Sequence, residues 1–325
     1  MGSTTPAWNI NNTVVNESYY TENFSCIIRF NTLEFLTAII SVVGLAGNAI
    51  VLWLLTFHMH RNAFSTYVLN LAGADFLQLC TQIVFSLHCV LQVNDRIFMF
   101  LIIVFIFAYL AGLCMIAAIS SERCLSVMWP IWYHCQRPRH TSAIMCALLW
   151  AFSLLLSLLF GEGCGFLFSH YEYYFCINSR FIITAFVIVF SVVPSVSSLA
   201  LLVKIICGSH RIPVTRFYVT ITLTVVVFTL FGLPYGISWF LLLWIVDIQN
   251  ISSYNEVIMF LSCVNSCANP IIYFLVGSIR HCKLQSQTLK QVLQRAMQDT
   301  PEEEGGERGP SQRSGELEIV GAVVE

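Results

Sequence analysis

Long uninterrupted apolar runs organise this chain. Asp, Glu, Lys and Arg are absent from 35–60, 97–121, 140–161, 181–203, 217–246 and 257–279, and the run 62–94 is broken only by Asp75. About 20 apolar residues, rising 1.5 Å each, cross about 30 Å of hydrocarbon, and all seven runs are long enough. Lipid offers backbone amides no partner, so a spanning segment must satisfy its own hydrogen bonds as a helix or within a closed barrel. Barrel strands would be alternating segments of about ten residues. The pattern therefore predicts seven membrane-spanning helices. Buried helices of a large soluble core would need amphipathic helices to cover them, and none is left over.

Composition narrows the class further. Of 325 residues, 57% are hydrophobic and 10% charged, with a mean hydropathy of +0.75. A soluble protein is about a quarter charged. This composition excludes a soluble globular enzyme and a disordered chain. Sixteen Lys and Arg against 18 Asp and Glu give a net charge of −2, which argues against a nucleic-acid partner.

Basic residues orient the spans. With the N-terminus outside, the inner segments carry Arg61, Arg137, Arg139, Lys204, Arg211, Arg216, Arg280, Lys283, Lys290 and Arg295, and the outer side only Arg29, Arg96 and Arg180. Glycosylation sequons agree: Asn11, Asn16, Asn23 and Asn250 all fall on the predicted outside. The expected architecture is an all-α membrane protein with four parts. Residues 1–32 form an extracellular glycosylated N-terminus without a signal-peptide pattern. Residues 33–277 form the seven-helix bundle, and 278–300 an amphipathic eighth helix on the inner membrane face. Residues 301–325, rich in Glu and Gly, form a disordered cytoplasmic tail. Cys282 is either a palmitoylation site or a free cytosolic thiol.

Polar groups near the bilayer midplane are costly and so point to function. Asp75 lies midway along the second span, Asn48 in the first, and Asn265 and Asn269 in the seventh. One carboxylate facing three amides could hold a sodium ion or waters; a hydrogen-bonded packing network is the alternative. Glu122 and Arg123 close the third span, where Arg123 either anchors at the inner surface or turns inward to a carboxylate. Pro194, Pro234 and Pro270 each remove a backbone hydrogen bond and kink their spans. No phosphate-binding loop, nucleophile elbow, zinc-protease or Cys-x-x-Cys pattern is present. No enzyme activity and no cofactor are expected.

Together these residues resemble the rhodopsin-like G-protein-coupled receptors. The resemblance rests on Gly47-Asn48, Leu71-Ala-Gly-Ala-Asp75, Glu122-Arg123-Cys124, Trp150, Pro234 and Asn269-Pro270-Ile-Ile-Tyr273, and covers about 33–290. Finer detail is similar to the Mas-related receptors: Glu122-Arg-Cys-Leu-Ser-Val, Pro130-Ile-Trp-Tyr, Cys164-Gly-Phe-Leu-Phe and Gly232-Leu-Pro234. The stretch from Gln294 to Glu303 is similar to their rodent branch.

The resemblance implies a plasma-membrane receptor. It would couple an extracellular peptide or small-molecule agonist to heterotrimeric G proteins of q or i type, in sensory neurons or mast cells. Glu122, Arg123, Cys124 and Tyr273 would serve coupling. Asn48, Asp75, Gly232, Pro234, Asn265, Asn269 and Pro270 would form the conformational switch. Ligand would contact Phe105, Tyr109, Phe160, Glu162, Arg180, Tyr235 and Trp239.

Departures from the class carry their own implications. Gly232 stands where the class has Trp, which removes a bulky pocket floor and favours a shallower ligand. Gly112 replaces a Ser that often faces the sodium site, which weakens the case for sodium at Asp75. Leu202 replaces the usual fifth-span Tyr. Phe98 replaces the usual third-span Cys, so the resemblance assigns the outer disulfide to Cys164 and Cys176, leaving Cys26 and Cys89 without an assigned partner. Some relatives hold basic ligands with two acids placed where this chain has Phe160 and Arg180, which implies a weak response to strongly cationic ligands. A membrane transporter is the alternative; it would need paired inverted repeats, and no duplication is visible.

Overall fold

The computed structural model describes residues 32–58, 63–135, 138, 140–167, 173–207, 216–238 and 251–278. Asn11, Asn16, Asn23, Asn250, Trp239, Cys26 and Cys282, the helix expected at 279–300 and the tail at 301–325 lie outside the described residues.

Seven helices are long and apolar enough to cross a membrane. They are α1 (Thr32–Phe57), α2 (Ala63–Ser86), α3 (Asp95–Met128), α4 (Thr141–Gly163), α5 (Tyr173–Cys207), α6 and α7 (Ile251–Ser278). α6 runs through Arg216–Val227, a π-helical turn at Phe228–Gly232, and Leu233–Ile237. We call the two ends of the bundle outer and inner as the charge bias assigns them.

Several helices outrun the charge-free stretches, α3, α5 and α7 furthest. α3 continues past Glu122 and Arg123 to Met128, α5 begins ahead of Arg180 at Tyr173, and α7 begins ahead of Glu256 at Ile251. A charge near a span end marks the water interface rather than the end of the hydrogen-bonded ladder, because a long side chain snorkels while the backbone stays helical. α3 opens with a cap: the Asn94 side chain accepts from Arg96 N–H at 2.9 Å, with Asp95 in the first turn.

The helices form a closed ring in which α1 meets α2 and α7, α4 meets α5, α5 meets α6 and α6 meets α7. α3 packs against α2, α4, α5 and α6 from the middle. It is accordingly apolar on all sides, with an almost continuous buried run from Phe105 to Ile119. α4 instead leaves Ile144, Leu148, Phe152 and Leu155 exposed, and α5 leaves Val189, Val192, Val196 and Leu199. Those faces suit contact with lipid.

Polar side chains stitch α7 to α1 and α2. Gln78 Nε2 donates to Ser262 Oγ at 2.6 Å, and Gln82 Nε2 to the Met259 carbonyl at 3.1 Å. Ser41 Oγ meets Cys263 Sγ at 3.1 Å. Trp150 of α4 donates to Asn70 Oδ1 of α2 at 2.9 Å.

Candidate functional site

The predicted switch residues divide among three contacts. Asn269 Nδ2 donates to Asp75 Oδ2 at 2.7 Å with both residues buried. Asn48 instead donates to the Gly44 and Ser266 carbonyls at 3.0 and 3.1 Å, tying α1 to α7. Asn265 faces α6, its Cγ 3.0 Å from where a Cβ on Gly232 would stand. One carboxylate facing three amides is thus not the arrangement; one amide reaches it. The physical reason is helix rotation: Asn265 and Asn269 are neighbours along one face, but α7 turns that face across both α2 and α6. Pro270 lies inside α7, where a Cβ on Gly47 would stand 3.1 Å from its Cβ.

At the inner end, Arg123 is buried, and its guanidinium carbon lies 5.0 Å from the Phe64 ring centroid. The contact is a cation–π pair. Glu122 Oε1 accepts from the Tyr67 hydroxyl at 3.1 Å. Phe64 and Tyr67 are one turn apart on α2, so one helix face holds both members of the charged pair. Cys124 beside them is a free, half-buried thiol. Tyr273 is buried and lines a narrow cavity with Phe64, Ile119, Ser120, Thr220 and Thr224. Beyond Arg123, the short helix Pro130–Cys135 follows, with Trp129 and Ile131 exposed. Phe64, Tyr67 and Trp129 carry no motif in the sequence, and Ile131 stands there only as part of Pro130-Ile-Trp-Tyr.

At the outer end, the residues expected to meet ligand pack on one another. Tyr235 meets Phe105 edge-on at 5.0 Å and Tyr109 at 4.9 Å, and all three are buried. Phe160 stacks on Phe166 at 5.4 Å and is fully buried. That stack depends on Gly165, whose φ of 73° turns the chain back so that Phe166 N–H reaches the Gly161 carbonyl at 2.8 Å. Glu162 is exposed and Arg180 half-buried.

Gly232 does not leave an empty floor. A Cβ there would stand 2.7 Å from Phe228 Cδ2, and the Tyr109 hydroxyl donates to the Gly232 carbonyl at 3.3 Å. Phe228, with Asn265 beside it, fills the space next to Gly232.

Cys164 and Cys176 are joined in a disulfide, with Cα atoms 4.6 Å apart. Because α5 starts at Tyr173, the bond ties the C-cap of α4 to the first turn of α5 rather than bracketing a free loop.

Comparison with known proteins agrees with this geometry. Residues 47–273 match the family model described as 7 transmembrane receptor (rhodopsin family). Mas-related G-protein coupled receptor member B4 of Mus musculus is 75% identical over 98% of this chain and 100% of its own length. Member B5 of Mus musculus is 73% identical over the same shares. Member X2 of Homo sapiens is 51% identical over 93% of this chain and 94% of its own. These are receptors rather than enzymes, and the seven apolar helices make this chain a multi-pass protein of the plasma membrane. The chain belongs to the Mas-related G-protein-coupled receptors of the rhodopsin family.

Proposed function

We propose that this receptor relays an extracellular peptide or small molecule to heterotrimeric G proteins of q or i type, in sensory neurons or mast cells. The observation that carries the coupling is the Glu122–Arg123 pair at the inner end of α3, held by Tyr67 and Phe64 beside a cavity that Tyr273 lines. Opening of that end would release Arg123 to the C-terminal helix of a G-protein α subunit. The exposed Trp129 and Ile131 give the same face an apolar contact.

Ligand approaches from outside, above the closed Phe105, Tyr109 and Tyr235 cluster, with Trp239 as a further contact. Phe160 is sealed against Phe166 and Arg180 carries positive charge, so a neutral, amphipathic or acidic-tipped ligand fits this end better than a polycation. Asn11, Asn16, Asn23 and Asn250 carry glycans on that side.

The test is ligand-dependent nucleotide exchange on purified q and i heterotrimers, with agonist found by a calcium-mobilisation screen of peptide and small-molecule pools. Arg123→Ala is expected to abolish exchange while surface expression persists. Near-normal exchange in that variant removes Arg123 from the mechanism.

A further inference from the structure

Gly236 on α6 opens toward α3 and α5, whereas Gly232, at the end of the π-helical turn, opens toward Phe228 and Asn265. A residue without a side chain, as at Gly236, lets a neighbour approach the helix backbone closely. The neighbour here is the Tyr109 side chain of α3. Its hydroxyl donates to the Gly232 carbonyl at 3.3 Å. A Cβ at position 236 would stand 2.5 Å from the Tyr109 oxygen and 2.8 Å from Val187 Cγ1. The seat exists because position 236 lacks a side chain, while Gly232 contributes its carbonyl; a Cβ at 232 would meet Phe228 and Asn265 instead.

The seat falls where α6 is least regular. Leu233 N–H reaches back five residues to the Phe228 carbonyl, closing the π-helical turn. Pro234, immediately after it, has no N–H to return to the ladder. A helix with a wide turn and a missing bond bends more easily than its neighbours. On its other side the Tyr109 ring meets Tyr235, and Tyr235 meets Phe105, so the seat is in direct contact with the aromatic cluster below the outer face.

We propose that Tyr109 is a removable peg in the α6 bend. Seated over Gly236 and bonded to the Gly232 carbonyl, it holds the resting arrangement; displaced through Tyr235 and Phe105 by a ligand, it frees α6 to swing. The link to ligand rests on the receptor reading above, whereas the hold on α6 needs neither ligand nor G protein. Tyr109 is thus a positioning residue that acts through the α6 backbone.

The experiment encodes trifluoromethyl-phenylalanine at position 217, at the start of α6, in purified full-length receptor in lipid nanodiscs. Fluorine NMR without ligand or G protein reads the populations of the α6 arrangements. Tyr109→Phe keeps the ring and removes one hydroxyl. Its minor population is expected to rise about fivefold, the equivalent of about 1 kcal/mol for one neutral hydrogen bond. Gly236→Ala is expected to act in the same direction, because the new Cβ occupies the peg's place. The double variant is expected to match either single one, since a peg is lost only once. A lowered unfolding midpoint with unchanged populations in Tyr109→Phe overturns the proposal, as does a double variant whose effects add. If Gly236→Ala does not fold, Tyr109→Phe decides alone. A population shift in a receptor that drives no exchange on either purified heterotrimer leaves the peg standing and removes the coupling reading instead.

Discussion

Removing one oxygen from Tyr67 tests how the inner end is kept closed. The Tyr67 hydroxyl donates to Glu122 Oε1 at 3.1 Å in a partly buried setting. A hydrogen bond to a charged group is worth about 1.5–3 kcal/mol, and partial burial puts this one at the low end. If the bond exists only in the resting arrangement, Tyr67→Phe shifts the balance toward the active one about tenfold. A receptor holding about 1% of its molecules active at rest would then hold about 10%. Phe64→Leu is a smaller companion change, since the cation–π contact at 5.0 Å is worth about 0.5–1 kcal/mol. The assay is ligand-free nucleotide exchange on a purified heterotrimer, normalised to correctly folded receptor. Exchange at the wild-type level in Tyr67→Phe, with folded yield unchanged, would refute the reasoning: Tyr67 would then support α2–α3 packing equally in both arrangements.

Cys164→Ser and Cys176→Ser should each lose ligand response to the same extent, and the double variant should be no worse. One bond across 12 residues contributes about 3 kcal/mol in the chain-entropy view, and additive losses would contradict it. Asp75→Asn keeps the size of the side chain and an acceptor for Asn269, so surface abundance should hold while agonist-driven exchange changes; a parallel fall in both would make the contact structural. Phe160→Glu combined with Arg180→Asp should move preference toward cations in a peptide series varied from about +4 to about −1, by roughly 1–4 kcal/mol for a contact near 4 Å. A wild type that already prefers the most cationic peptide would sink that reading.

The seven spans are legible because a single physical demand, the exclusion of charge from hydrocarbon, acts on every residue of each. Their ends are less so. Arg180 reads as the limit of the fifth span, yet α5 starts seven residues earlier, because an interfacial charge leaves backbone hydrogen bonding intact. The motif residues Asp75, Arg123 and Asn269 stand out in sequence by being polar where polarity is costly. Their partners do not: Phe64 and Tyr67 look like ordinary members of an apolar span, and only the face that α2 turns to α3 gives them a role. The same holds for Gly236, which matters through a phenol more than a hundred residues away.

The polar seam joining α7 to α1 and α2 has a consequence for how the protein is made. Gln78 and Gln82 on α2, with Asp75 below them, enter the membrane long before Ser262, Met259 and Asn269 are synthesised. Until the last span arrives, those groups face lipid, or water drawn into it, at a cost of several kcal/mol for each unsatisfied group. The nascent chain therefore stays a client of the insertion machinery through its sixth span, and α7 acts as the closing stave that releases it. Chains truncated ahead of Ile251 should be retained and degraded, although six of their seven spans are intact.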